Sequence, residues 1–217
     1  MAKILKNAGS HRILAIMAGF DGQNQLQLIE AAGRTAYQSR DKITDQSAAQ
    51  FVKMIRDKKH ESVLEHSCMT VEFNNICRGF THELVRHRIA AFTQESTRYV
   101  DESDFNVVIP PEKDSDQELV ELDLPNKTKI NVSYQQWMDL NEQMYRGLRK
   151  ADWVPQDARQ VLPIAIKAQI VMTANFRQWR HVIKLRTVPG AHWEIKRVMN
   201  NLLVDLKKKV PIIFDDI

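Results

Sequence analysis

Apolar positions fall along this chain in stretches of two periods, and the stretches predict its elements. Ile13 to Met17 is a short apolar run that stops before Gly19, which predicts a buried strand. From Asn24 to Tyr37 the apolar residues Leu26, Leu28, Ile29, Ala32 and Ala36 recur at helical spacing. A second helix follows, with Thr44 or Asp45 as cap and Phe51, Val52, Met54 and Ile55 on its inner side. Met69, Val71 and Phe73 alternate with polar neighbours, which predicts a half-buried strand. Cys77, Phe80 and Leu84 lie on one face of a helix predicted from Cys77 to Arg88. Val107 to Ile109 is extended and stops at Pro110-Pro111. A long amphipathic helix is predicted from Ile130 to Trp153 and a strand from Ile164 to Ala174. Asn175 then caps a helix carrying Phe176, Trp179, Val182 and Ile183. A last helix runs to Lys209, with Met199, Leu202, Leu203 and Leu206 on its inner stripe.

With 217 residues, 43% of them hydrophobic, the chain is long enough for one good core, and a single domain 1–217 is predicted. Residues 111–127 are the exception. They hold Glu112, Asp114, Asp116, Glu118, Glu121 and Asp123, and predict a mobile acidic excursion. There is no internal repeat, no apolar run of membrane-span length and no visible signal peptide. The two cysteines, Cys68 and Cys77, form no CxxC pair, which argues against structural zinc and fits a reducing, cytoplasmic setting. A net charge of +4 favours anionic ligands but is mild for a nucleic-acid binder.

The chemistry concentrates in Arg86-His87-Arg88-Ile89-Ala90-Ala91-Phe92-Thr93-Gln94-Glu95-Ser96-Thr97-Arg98-Tyr99. Guanidinium groups grip anionic oxygens through paired planar hydrogen bonds, and a hydroxyl beside them adds a rotatable donor. The stretch therefore reads as an anion site. Read without further context, it also suits a basic single-stranded nucleic-acid module, with Arg86, Arg88 and Arg98 on phosphates and Phe92 and Tyr99 stacking bases. His60, Glu61, Glu65 and His66 could be read as metal ligands, but they lack the helical HExxH spacing, and no metal is predicted.

Arg-His-Arg, seven residues, then Ser-x-Arg-Tyr resembles the signature of the flavin-dependent thymidylate synthases, with Ala91 and Thr93 departing from its interior. Three further segments resemble that family in the same order. They are His60-Glu-Ser-x-Leu-Glu-His66, Ala158-Arg-x-x-Leu-Pro163, and Asn175-x-Arg-x-Trp-x-His-x-x-x-Leu-Arg186 followed by Ala191 to Ile195. The resemblance implies an α/β (α+β) fold with a central antiparallel sheet flanked by helices. It is not a Rossmann fold, and the seven glycines indeed form no GxGxxG. It implies FAD held by Ser62, Arg86, His87, Arg88, Gln94, Asn175, Arg177 and His181. It implies dUMP held by Glu83, Arg86, Gln94, Glu95, Ser96, Thr97, Arg98, Arg159 and Arg186, with Ser96, Arg98 and Arg159 on the phosphate. His60 would lie on the folate side. Arg186 would be catalytic, its fixed cation favouring the more anionic form of the uracil ring. The implied reaction is methylation of dUMP to dTMP, with methylenetetrahydrofolate as carbon donor and NADPH as reductant. The implied assembly is a homotetramer that shares its active sites between subunits, without nucleic-acid or membrane partners. A degenerate member that binds nucleotide without turnover is the remaining alternative.

Overall fold

A computed structural model describes residues 1–19, 22–117, 119–125 and 127–217. In chain order its elements are β1 (Lys3–Leu5), β2 (Ser10–Ile16), α1 (Gln25–Ala36), α2 (Ser47–Asp57), β3 (Cys68–Cys77), α3 (Arg78–Leu84), β4 (Ala91–Gln94), β5 (Asn106–Val108), β6 (Leu119–Asp123), β7 (Lys129–Ser133), α4 (Tyr134–Lys150), α5 (Pro155–Ala158), β8 (Lys167–Asn175), α6 (Phe176–Arg186), α7 (Trp193–Lys209) and α8 (Pro211–Phe214). The fold mixes helices with an antiparallel sheet, as the family resemblance implies. Four strands pair in the order β2-β3-β8-β4. The chain divides into two compact units. One comprises residues 1–10, 74–83 and 94–169, the other 11–73, 84–93 and 170–217.

In the first unit β1 and β5 pair in parallel, Lys3 opposite Asn106 and Leu5 opposite Val108. Behind them Ala2, Phe105, Val107, Met138 and Ile166 form a core, with Ile4, Tyr134, Leu162 and Ala165 packed against it. The acidic stretch carries one arm of a hairpin: β6 pairs antiparallel with β7, Leu119 opposite Ser133 and Asp123 opposite Lys129. Glu118, part of that acidic run, lies outside the described residues. The helix predicted from Ile130 starts later, at Tyr134. Val132 is buried as part of β7, and Ser133 caps α4 by accepting from the Gln136 amide at 3.2 Å. Gln136 in turn accepts from the Ser133 amide at 2.8 Å, so the helix start is fixed at both donors.

In the second unit Met69, Val71 and Phe73 of β3 are buried, as the alternation predicts. The inner stripe of α6 (Phe176, Trp179, Val182 and Ile183) is fully buried, and the Trp179 indole donates to the Met69 carbonyl at 2.9 Å. Asn175 caps α6 through a 2.8 Å bond from the Gln178 amide. β2 corrects the expectation of a buried strand. It is an edge strand with Leu14 exposed, and it carries Arg12, bonded to Glu72, and His11, bonded to Asp205. The helix predicted from Cys77 to Arg88 is also shorter. Ile76 and Cys77 are buried in the continuing β3, and α3 covers only Arg78–Leu84. Arg86 and Arg88 therefore sit past its end, where His87 donates its amide to the Leu84 carbonyl at 3.1 Å. No helix among the described residues is long and apolar enough to cross a membrane.

Candidate active site

Two clusters of chemistry-bearing side chains form, one within each unit. In the first unit β4 ends at Gln94, and the Glu95 amide donates to the Gln169 carbonyl at 2.9 Å. The chain then turns. The Ser96 carbonyl accepts from the amides of Tyr99 and Val100 at 3.1 and 3.0 Å, and the Ser96 hydroxyl accepts from the Arg98 amide at 3.3 Å. Thr97 is buried, and its hydroxyl accepts from Arg159 Nη1 at 3.3 Å. Arg159 opens a 3-10 turn after α5 and also donates to the Gln156 carbonyl at 3.1 Å. Four predicted residues (Ser96, Thr97, Arg98 and Arg159) thus share one turn and its brace. Arg98 lies 5.5 Å from the Tyr99 ring centroid, and that ring is 78% exposed. Tyr99 is therefore no core residue of this chain. Gln94 donates its amide nitrogen to the Thr81 hydroxyl at 3.0 Å, and Glu83 is half-buried near the end of α3.

Beneath this turn lies a residue that the sequence pattern gave no reason to choose. Arg78 donates to the Glu95 carbonyl at 2.9 Å. Burial pushes its pKa down, the charges of Glu102 and Glu95 oppose that, and Arg159 pushes it down further. Burial pushes Glu102 up and the Glu95 charge adds to this, while Arg78 and Lys167 pull it down. Lys167 stands 3.8 Å from Glu95. A half-buried cation within the field of two carboxylates and a second guanidinium sets the local charge balance of the turn. No spacing rule flags Arg78, since its partners are distant in sequence. A turn with two hydroxyls and two further guanidiniums is chemically an anion cradle.

In the second unit, His87 is buried just past α3, and its Nε2 accepts from Arg186 Nε at 2.9 Å. Arginine can only donate, so His87 is neutral on that nitrogen and carries its proton on Nδ1. The His181 ring meets His87 edge to face, with centroids 5.8 Å apart. Arg186 is the last residue of α6, where a cation is favoured by the helix carbonyls. His87, His181 and Arg186 come from motifs nearly a hundred residues apart in sequence. The other predicted side chains of this unit are spread along its surface. Arg86, Arg88, Ser62 and His60 are exposed, and Arg177 is half-exposed in an ion pair with Glu65 at 2.5 Å. Asn175 spends its carbonyl oxygen on the cap of α6. A cleft of about 380 Å³ beside the first turns of α7 is lined by Pro189, Ala191, Trp193, Lys196, Arg197 and Asn200.

Neither cysteine resembles a nucleophile. Cys77 is buried and its sulfur accepts from the Phe80 amide at 3.4 Å, and Cys68 is half-buried in β3. Among the described residues no group of three His, Cys, Asp or Glu side chains could hold a metal ion.

Comparison with known proteins bears on the family and the fold. The sequence model of the Thy1 family, thymidylate synthase complementing protein, matches residues 20–212. A flavin-dependent thymidylate synthase of Corynebacterium diphtheriae is 38% identical over 196 residues, covering 87% of this chain and 77% of that protein. One from Mycolicibacterium vanbaalenii is 38% identical over 203 residues, covering 90% of this chain and 81% of its own. Among solved structures, thymidylate synthase X of Helicobacter pylori with FAD and dUMP superposes with a TM-score of 0.72 at 20% identity, covering 96% of this chain and 98% of that one. The UMP/dUMP methylase PolB of Streptomyces cacaoi superposes equally well, at 0.72 and 20% identity, over 98% of this chain and 95% of its own. At that identity the two structures speak for the fold.

Proposed function

Because this chain belongs to the flavin-dependent thymidylate synthase family, we propose that it methylates dUMP to dTMP with bound FAD, methylenetetrahydrofolate as carbon donor and NADPH as reductant. The observation that carries the reading is the Arg186–His87 bond, with His181 against it. It joins the Arg-His-Arg motif to the last residue of the Asn175–Arg186 motif, two segments far apart in sequence.

The donor set fits a flavin dinucleotide. Exposed guanidiniums of Arg86, Arg88 and Arg177 suit its diphosphate, and the side chains of Ser62, Gln94, Asn175, His87 and His181 suit a polar heterocycle. When bound, the flavin supplies the redox and one-carbon chemistry. The protein's own part is placement and charge. Ser96, Thr97, Arg98 and Arg159 hold the nucleotide phosphate, with Gln94, Glu95 and Glu83 beside it. Arg86 and Arg186 meet the uracil carbonyls. Arg186, held by His87, offers a cation to the ring as electron density builds at C5. His60 faces the folate.

We read the assembly as a homotetramer with shared active sites, in the cytoplasm. Supporting it, Trp137, Leu140 and Met144 make an exposed apolar stripe on α4, and Leu119 and Val120 of β6 are exposed as well. Light scattering on the purified protein tests the mass. The activity is tested directly. Purified protein should show flavin absorbance near ~370 and ~450 nm and should make dTMP only when dUMP, reductant and folate are all present. A colourless protein that forms no dTMP with added FAD would refute the reading.

A further inference from the structure

The Arg186 cluster does not include one pair of side chains that meet on the surface of the second unit. The Tyr37 hydroxyl lies 2.8 Å from His60 Nδ1. Tyr37 follows the last turn of α1 and is 47% exposed, so the contact is not core packing. Both partners are nevertheless fixed from behind. The Tyr37 ring stands edge-on to Phe51, centroids 6.3 Å apart at 89°. Phe51 is buried under the Arg34 guanidinium, which sits 4.3 Å from its centroid. Arg34 donates twice to the buried Glu30, at 3.1 and 2.9 Å, and Glu30 also accepts from the Ser47 hydroxyl at 2.8 Å. Gly33 lets Phe51 approach α1 this closely, since a Cβ there would stand 2.6 Å from its ring. On the other side, the His60 amide donates to the Ile55 carbonyl at 3.0 Å, and Lys59 turns the chain with a φ of 60°.

The proton in the contact can be assigned from acidity. A phenol is a stronger acid than a neutral imidazole N–H, so Tyr37 donates and Nδ1 accepts. His60 then carries its proton on Nε2, as a donor on an exposed ring. We propose that Tyr37 is a positioning residue that holds His60 in its Nε2–H form, so that this ring offers one fixed donor to a carbonyl of a planar heterocycle. The choice of heterocycle, the one-carbon donor, rests on the function proposed above; the tautomer does not. A free histidine would divide its population between two tautomers and two ring orientations. Tyr37 removes that division before the ligand arrives.

The test uses ¹⁵N-histidine-labelled holoprotein at pH 8.5, with His60→Gln to assign the His60 signals. In the native protein Nδ1 should resonate as an acceptor nitrogen and Nε2 as a protonated one. Tyr37→Phe keeps the ring against Phe51 and removes only the donor, so both signals should move toward the mean of the two tautomers. Gly33→Ala keeps the phenol but drives a methyl into Phe51, and should move the same signals the same way. In kinetics, Tyr37→Phe should raise the KM for methylenetetrahydrofolate about threefold to tenfold, the scale of one neutral hydrogen bond, and leave the KM for dUMP and the flavin spectrum unchanged. His60 nitrogens that do not move in Tyr37→Phe would overturn the proposal. Nitrogens that move while the folate KM stays constant would overturn its assignment to the carbon donor. A native protein that makes no dTMP would instead remove the overall reading, and the nitrogen signals would still report on Tyr37.

Discussion

Replacing Asp216 with Asn should weaken the second unit in a pH-dependent way whose size follows from one buried guanidinium. Arg180 of α6 is almost fully buried and grips Asp216 in a two-pronged bond, Nη1 to Oδ1 at 2.6 Å and Nη2 to Oδ2 at 2.7 Å. It also donates to Glu61 Oε1 at 3.2 Å and to the Ile213 carbonyl. Arg56 of α2 adds a 2.7 Å bond to the Ile212 carbonyl and lies 3.7 Å from Asp216. Hydrogen bonding from Arg180 holds the Asp216 carboxyl at about 2 against an ordinary 3.8, with burial opposing and the charges of Arg180 and Arg56 helping. At ~1.36 kcal/mol for each tenfold change in proton affinity, that drop is worth at most ~2.4 kcal/mol. The Asp216 side chain is 37% exposed, so solvent screening reduces the figure to about 1 kcal/mol. The folded pKa lies below the unfolded one, so the stabilisation is complete above pH 3.8 and fades as pH falls toward 2. Urea unfolding of the native protein and Asp216→Asn should differ by about 1 kcal/mol at pH 7 and converge across that interval. Arg180→Met should cost more, about 3–5 kcal/mol, because it leaves Asp216, Glu61 and the Ile213 carbonyl without their shared donor. A difference between the native protein and Asp216→Asn that stays constant from pH 7 to pH 2.5 would refute the electrostatic account.

Three further outcomes test the site. Arg186→Ala should keep its flavin absorbance and lose roughly 10²–10³ in turnover, measured as dTMP formed per bound flavin; near-normal turnover would remove Arg186 from catalysis. Arg98→Ala and Arg159→Ala should each weaken dUMP by about 1.5–3 kcal/mol in calorimetric titration and leave deoxyuridine binding unchanged, since only dUMP has the phosphate. The double variant Cys68→Ala, Cys77→Ser should still form dTMP per folded, flavin-loaded molecule, at a stability cost of about 1 kcal/mol or more; loss of that corrected activity would reveal a thiolate nucleophile.

Legibility in the sequence followed the range of each interaction. Periodicity found β3, α1, α6 and α7 because each buries one stripe against a neighbour, and Asn175 showed itself as a cap because a cap acts three residues away. It misjudged the start of α4, where Ser133 and Gln136 form a capping box inside an apolar pattern that continues unbroken into β7. It also extended α3 into Arg86–Arg88, since Cys77 and Phe80 fit either a helix face or the end of a strand. β2 read as buried because an apolar run does not record that its strand has a neighbour on one side only.

The site divided along the same line. The motif residues were legible as letters, but not which of them touch. Among the predicted flavin and nucleotide ligands, His87, His181 and Arg186 assemble in the second unit, and the Ser96–Arg98 turn with Arg159 does so in the first. Arg78 was invisible because its work is done on a main-chain carbonyl seventeen residues away. Gly33 was invisible because its use is an absence: no side chain stands between α1 and Phe51. Such residues match no motif, yet they brace the segments that carry the motif residues. A guanidinium free to sample many rotamers must be ordered by its ligand, and that entropy is subtracted from binding. Arg186 is spared this cost by His87, and His60 by Tyr37, so in each case a side chain expected to meet the ligand is already held by one that need not.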